Sequence, residues 1–197
     1  RRRSSTGQQR AEQAGASLMR KKPRPPKNNQ ELIRASHAIA YDVNMLRISY
    51  LYMLQSNVNA DSTHHAQFFA NATLHSFLLA SRNLCGFLYS HNPRKDDIIA
   101  EDFFPRPDDW RAKRPAPSPD LANGSLGNRI SRRLLHLTYE RAEGNKAAWR
   151  AFRIAWEISR AASVFSHEAP SANVSPLCHD AFSHMADLLK KDEDSTY

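Results

Sequence analysis

The chain is poor in the residues that build phosphate-cradling loops, disulfide frameworks and membrane spans. Six glycines among 197 residues leave little material for a Gly-rich phosphate loop, and neither that motif nor a nucleophile elbow is present. Two cysteines, Cys85 and Cys178, cannot make a disulfide framework, and no histidine stands at zinc spacing beside them. No apolar run approaches the roughly 18 residues that a membrane span requires. Strand signals are nearly absent, because apolar residues recur at helical rather than alternating spacing. Acid is scarce at the start: residues 1 to 27 hold nine Arg/Lys against Glu12 alone, while the remainder balances at 19 basic and 19 acidic residues. The formal charge of +8 therefore belongs to an arm, not to the body.

These scarcities set the expectations. The fold class is all-α: an antiparallel four- to five-helix bundle over residues 29–191, preceded by a basic, disordered arm at 1–28 and interrupted by a Pro-rich loop at 93–124. The arm attracts phosphate, which makes nucleic acid a candidate partner through residues 1–27. It has no aromatic residue on which a base could stack. No metal and no cofactor are expected. Two separate thiols suit a reducing, cytoplasmic setting. Sequons stand at Asn71, Asn123 and Asn173, and Asn71 is read as lying on a buried helix face, which argues against glycosylation.

Helices follow from the periodicity. Pro23 to Pro26 separate arm from body, and Asn28 or Asn29 caps a first helix to about Gln55 with Leu32, Ile39, Val43, Leu46, Tyr50 and Met53 on its core side. After a polar turn at 57–63, a second helix ends near Ser90. Its residues Asn71, His75, Leu78, Arg82, Cys85 and Tyr89 share one face, and it is apolar nearly all round, which predicts a central position. The loop at 93–124 carries one amphipathic piece, Asp96 to Phe104, and an isolated Trp110 that should anchor it. A third helix starts at Ser125 or Asn128 and runs past Leu134 and Leu137 to a break at Gly144-Asn145. A fourth turns Trp149, Phe152, Ala155, Trp156, Ser159 and Ser163 inward. A fifth, after Pro176, turns Leu177, Ala181, Met185 and Leu188 inward.

Three constellations could carry chemistry. Arg82, with Asn83 beside it, is read as a buried guanidinium held by Asp42 or by the acids of 96–102, or else as a clamp for a phosphate or carboxylate. Asp97, Glu101 and Asp102 belong to a run of four carboxylates; Asp97 and Glu101, one helical turn apart, could share a hard cation, or the acids could simply charge a helix start and pair with nearby Arg or Lys. Arg129, Arg132, His136 and Glu140 share one helical face, with Arg141 near its end. A histidine able to move a 2′-hydroxyl proton, beside an arginine able to steady a phosphorane, suits metal-free RNA cleavage; the alternative is a solvated polar face.

Two resemblances attach to these residues. The pattern Leu78, Arg82-Asn83-Leu84, Phe87, then Asp96-Asp97, Ala100 to Phe103, Trp110, His136 to Tyr139 and Arg141 resembles a group of bacterial helical proteins with no assigned activity. That resemblance covers residues 30–166 and implies a helical fold. More weakly, Arg129 and His136, with six residues between them, resemble the HEPN superfamily of helical-bundle proteins. Many of these are metal-independent ribonucleases of defence and toxin–antitoxin systems. Their hallmark is an arginine, a polar neighbour and a following histidine, and Ile130 departs from it. The resemblance implies catalysis by Arg129 and His136 brought together in a homodimer. The leading expectation is a non-catalytic interaction module, with the HEPN-like ribonuclease as its rival.

Overall fold

The computed structural model describes residues 24–58, 64–90, 92–119, 121, 125–132 and 149–194. Among them the chain is all-helical: α1 (Asn29–Val58), α2 (His64–Leu88), α3 (Pro107–Lys113), α4 (Ser125–Ile130), α5 (Ala151–Glu168) and α6 (Pro176–Asp194), with 3₁₀ turns at Ala100–Phe103 and Ser171–Asn173. Residues 1–23 of the arm, most of the 57–63 turn and the expected third helix beyond Arg132, with its 144–145 break, lie outside the described residues.

α1 begins with a reciprocal cap. Asn28 Oδ1 accepts the Glu31 amide and Glu31 Oε2 accepts the Asn28 amide, both at 2.9 Å, so two amides that a helix start leaves open are satisfied. The expected core side is buried at Leu32, Ile39, Val43, Leu46 and Tyr50. α2 returns antiparallel along it, placing Phe77 against Tyr50 with ring centres 6.4 Å apart. α5 and α6 form a second antiparallel pair, joined by Phe165 against Phe182 at 5.9 Å and by Ser166 Oγ and His179 Nδ1 at 2.9 Å. α6 starts beside α1, where the Ser175 amide donates to Ser36 Oγ at 2.9 Å and Ser36 Oγ donates to Ser175 Oγ at 2.8 Å. Ser36 Oγ also reaches the Ile33 carbonyl at 2.7 Å and Ser175 Oγ accepts the Cys178 amide at 3.4 Å, so local partners satisfy the buried pair.

The expected all-round burial of α2 is corrected. Its buried side chains are Phe77, Leu78, Ala80, Ser81, Leu84, Cys85, Phe87 and Leu88, about half the circumference at roughly 100° per residue. His75, Leu79, Arg82, Asn83 and Gly86 form an exposed stripe, and Asn71 is exposed too. The 4–3 spacing groups residues along a line without saying which way the line faces; Leu78 and Cys85 lie at its inward edge. α5 shows part of the same slip. The expected Ala155 and Ser159 are buried, and Trp149 and Trp156 pack partly buried against the core, but the stripe turns further toward Ile154 and Ile158. Ile154, Ala155, Ile158, Ala161, Ala162 and Phe165 face inward, while Phe152 and Ser163 are exposed and Trp156 is half-buried under Arg160, whose guanidinium lies 4.8 Å from its ring centre. On α6, Cys178, Ala181, Phe182 and Met185 are buried and Leu177 is exposed.

Packing centres on Phe165. Its ring meets Phe87 at 5.0 Å, Phe103 at 5.4 Å, Trp110 at 5.7 Å and Phe104 at 6.0 Å, all nearly edge to face. That geometry sets ring edges against the negative faces of their neighbours. Three of those partners come from the Pro-rich segment, which is therefore a packed layer of the core and not a loose loop. Pro107 opens α3, Asp108 and Asp109 sit in its first turn, and Arg111 and Lys113 in its last; each sign matches the helix dipole. Trp110 is fully buried, and its Nε1 donates to the Leu88 carbonyl at 2.9 Å.

Trp110→Ala should lower the unfolding free energy by about 3–5 kcal/mol, and Trp110→Phe by about 1–2 kcal/mol through loss of the indole donor. Denaturant titration of both variants measures the difference; no loss in Trp110→Phe would show that the hydrogen bond contributes nothing beyond the ring.

Candidate functional site

Arg82 is exposed, which overturns the expected buried clamp. Asp42 is half-buried and is met instead by Asn83, whose Nδ2 donates to Asp42 Oδ1 at 3.2 Å. Burial pushes the Asp42 carboxyl above its usual range, and the Asn83 hydrogen bond only partly offsets this. Arg82 lies over α4, its Cγ 3.8 Å from the position a side chain at Gly127 would take. Both arginine and asparagine line an open groove of about 940 Å³, with Asp42, Tyr89, Asp96 and Asp97. The groove walls are mixed in charge.

The acidic segment does not form a helix at Asp96, and Asp97 and Glu101 do not share a site. Asp97 Oδ2 accepts the Arg94 amide at 2.7 Å and closes a turn. Glu101, buried in the 3₁₀ turn, is gripped by Arg111 through Nε at 2.7 Å and Nη2 at 3.2 Å. Asp102 takes Arg24 Nη2 at 2.8 Å. Arg24 also donates to the Arg94 carbonyl at 2.7 Å and to the Asp97 carbonyl, so a residue five positions before α1 straps the 94–102 segment down. Burial raises the Asp102 carboxyl despite Arg24. Among the described residues no three His, Cys, Asp or Glu side chains stand close enough to hold a metal ion.

Of the third constellation, Arg129 and Arg132 are described; His136, Glu140 and Arg141 lie outside the described residues. The Arg129 guanidinium lies 4.8 Å from the Trp149 ring centre, a cation–π stack. Arg132 is exposed just past α4. Arg129 belongs to a group that sequence reasoning missed: with Arg150, Arg153 and Glu157 it lines a cavity of about 270 Å³ floored by Leu121, Leu126 and Ile154. Glu157 is buried and fully engaged. Its Oε2 accepts the Ser118 amide at 3.0 Å and its Oε1 accepts Arg153 Nε at 3.1 Å. Burial opposes its ionisation, but Ser118 and Arg153 together hold its pKa below the usual glutamate range. The i,i+4 spacing of Arg153 and Glu157 was the available signal; Trp149, Phe152 and Trp156 drew attention to the wrong face.

Both thiols are buried. Burial, and for Cys85 the nearby Glu157 charge, pushes each up to about 12, so they stay protonated and act as small core residues. Tyr89 is also raised to about 12, by burial first and then by Cys85 and Glu157.

No family model matches the chain, and no curated protein or solved structure matches it either. The likeness to bacterial helical proteins and to the HEPN superfamily therefore rests on the quoted motifs alone. No helix of the described residues is long and apolar enough to cross a membrane.

Arg82→Met should change stability by less than about 0.5 kcal/mol, the range for exposed positions free of special contacts; a loss of several kcal/mol in denaturant titration would mean that a buried carboxylate depends on it. Glu157 has a depressed folded pKa, so its contribution is present above its ordinary value of 4.5 and is lost as pH falls through the lower folded value. Glu157→Gln should accordingly destabilise at pH 7, and the gap to the parent protein should shrink toward pH 3 in parallel melts.

Proposed function

We propose that the protein is a non-catalytic helical interaction module that pairs with a second copy of itself through the outer face of α1. The observation that carries this reading is a second apolar stripe on that helix. Ile33, Tyr41, Ile48 and Tyr52 are 37%, 65%, 41% and 58% exposed. They step by eight, seven and four residues, which keeps them on one helical face opposite solvent. A helix that needed only to cover the bundle would present polar residues there. Isolated exposed apolar residues need no explanation; a row of them along a long helix marks an interaction surface.

A second copy fits the stripe by its own symmetry. Two such helices laid antiparallel about a point between Asn44 and Met45 would set Tyr41 of each against Ile48 of the other, an isologous contact of ring on aliphatic chain. Phe68 and Phe69, 68% and 67% exposed at the start of α2, form a separate exposed aromatic pair. A cytoplasmic setting suits the two unpaired, buried thiols.

In analytical ultracentrifugation at about 100 μM, the parent protein should sediment as a dimer and a Tyr41→Glu, Ile48→Glu double variant as a monomer with unchanged helical circular dichroism. A monomeric parent protein would overturn this reading.

One observation favours a second reading, the HEPN-like ribonuclease: Arg129 stands in an arginine-lined cavity, where a phosphate would be stabilised. Residues 1–27 would then add sequence-independent attraction for RNA. On this reading RNA is cut in the presence of EDTA, and His136→Ala abolishes cutting while the melting temperature holds. Cleavage that persists in His136→Ala would remove the catalytic role from that residue.

A further inference from the structure

We infer that the cavity between Ser118, Leu121 and α4 on one side and the first turn of α5 on the other is a binding site for a small phosphate monoester. It is lined by three guanidinium groups, Arg129, Arg150 and Arg153, and one carboxylate, Glu157. Glu157 pairs with Arg153 through Nε and accepts the Ser118 amide, and the described lining residues keep two further arginines, Arg129 and Arg150, against no second carboxylate. Glu157 is thus a positioning residue: it fixes the Arg153 fork and holds the 118 segment against α5.

The other walls point the same way. The Arg129 guanidinium lies over the Trp149 ring, 4.8 Å from its centre, a cation–π contact that limits its motion. Arg150 is exposed beside α5, whose first turn contains no acid and whose N-cap makes no side-chain hydrogen bond. The positive end of the helix dipole therefore adds to the guanidinium charges. Several guanidiniums around one pocket match the charge and the several acceptor oxygens of a phosphate dianion better than they match a single carboxylate. Size and floor set the rest of the ligand. About 270 Å³ over Leu121, Leu126 and Ile154 accommodates a phosphate and the sugar it is esterified to, slightly below the usual size of small-molecule sites, so a nucleoside monophosphate would seat its phosphate end there.

The inference does not depend on dimerisation through α1 or on RNA cleavage. Calorimetric titration of the whole chain uses three probes: inorganic phosphate, adenosine monophosphate and adenosine. The two phosphate-bearing probes should bind at one site per chain, the monophosphate more tightly, and adenosine should not. Arg150→Gln should weaken monophosphate binding at least about tenfold, the loss of one charge-assisted contact, while the melting temperature stays unchanged because that side chain is exposed. Glu157→Gln should weaken it too. No heat from either phosphate-bearing probe, or equal binding of adenosine, would overturn the proposal. Undiminished binding in Arg150→Gln would do the same, as would a short single-stranded RNA that binds when the monophosphate does not.

Discussion

The last carbonyl of α2 is the point on which the architecture turns. A helix ends with carbonyl groups that lack intrahelical partners, and Leu88, wholly buried, would leave one of them in the core. Trp110 closes it from α3 at 2.9 Å, and Arg114 reaches the same oxygen at 3.2 Å while its guanidinium lies 5.7 Å from the Tyr89 ring centre. An arginine at a helix C-terminus also meets the negative end of the dipole. One acceptor thus fixes the middle of α3 and its C-terminal end. Beyond α3 the chain runs directly to Ser118, whose amide is spent on Glu157. The basic cavity inherits its geometry from a tryptophan that is not part of it.

The ion pairs around this layer have unequal value. Arg106 with Asp109 and Arg111 with Asp108 are largely solvated, and such pairs contribute about 0–1 kcal/mol. Glu101 differs because its carboxylate is enclosed, 7% exposed, while Arg111 is 53% exposed. The guanidinium keeps its hydration and the carboxylate gains two donors, so little desolvation is incurred on the cationic side. Removing Arg111 would strand a buried charge, which costs far more than the pair itself contributes. Arg24 performs the corresponding task for Asp102 from outside the bundle. The Pro-rich segment is therefore bolted by charge at its edges and by aromatic packing at its centre.

Much of the fold was legible in the residues. The Asn28–Glu31 cap, the inner stripe of α1, the start of α4 at Ser125 and the anchoring role of Trp110 each follow from local chemistry that tertiary packing does not override. The phase of α2 and α5 was not legible. On α2 the apolar residues cover so much of the circumference that a line through Arg82 looked as buried as its neighbours; only packing against α1 and α5 selects the Phe77, Leu84 and Leu88 side. On α5, large aromatics drew the reading outward, although Ile154, Ile158 and Phe165 form the more continuous stripe. Glu157 escaped notice for the same reason, since a carboxylate on the inward side is visible only once that side is known. The Asp42–Asn83 pair needed coordinates too, because the two lie 41 positions apart and either could have met solvent.

The correction at Arg82 changes what the long helices are for. With that guanidinium in solvent, nothing in the α1–α2 pair needs a buried charge to fix its register; Tyr50 on Phe77 and Asn83 on Asp42 already do so. The outer face of α1 is thereby released from any internal duty, yet it keeps Ile33, Tyr41, Ile48 and Tyr52. Burying such side chains on a partner gains roughly 25 cal/mol per Å² of apolar surface, whereas leaving them wet gains nothing. The basic cavity lies on other elements, α5 and the segments before it, so association along α1 and anion binding beside Arg150 draw on separate surfaces. The proposed association surface and the proposed anion site thus share no residue, and each is open to substitution without touching the aromatic cluster around Phe165.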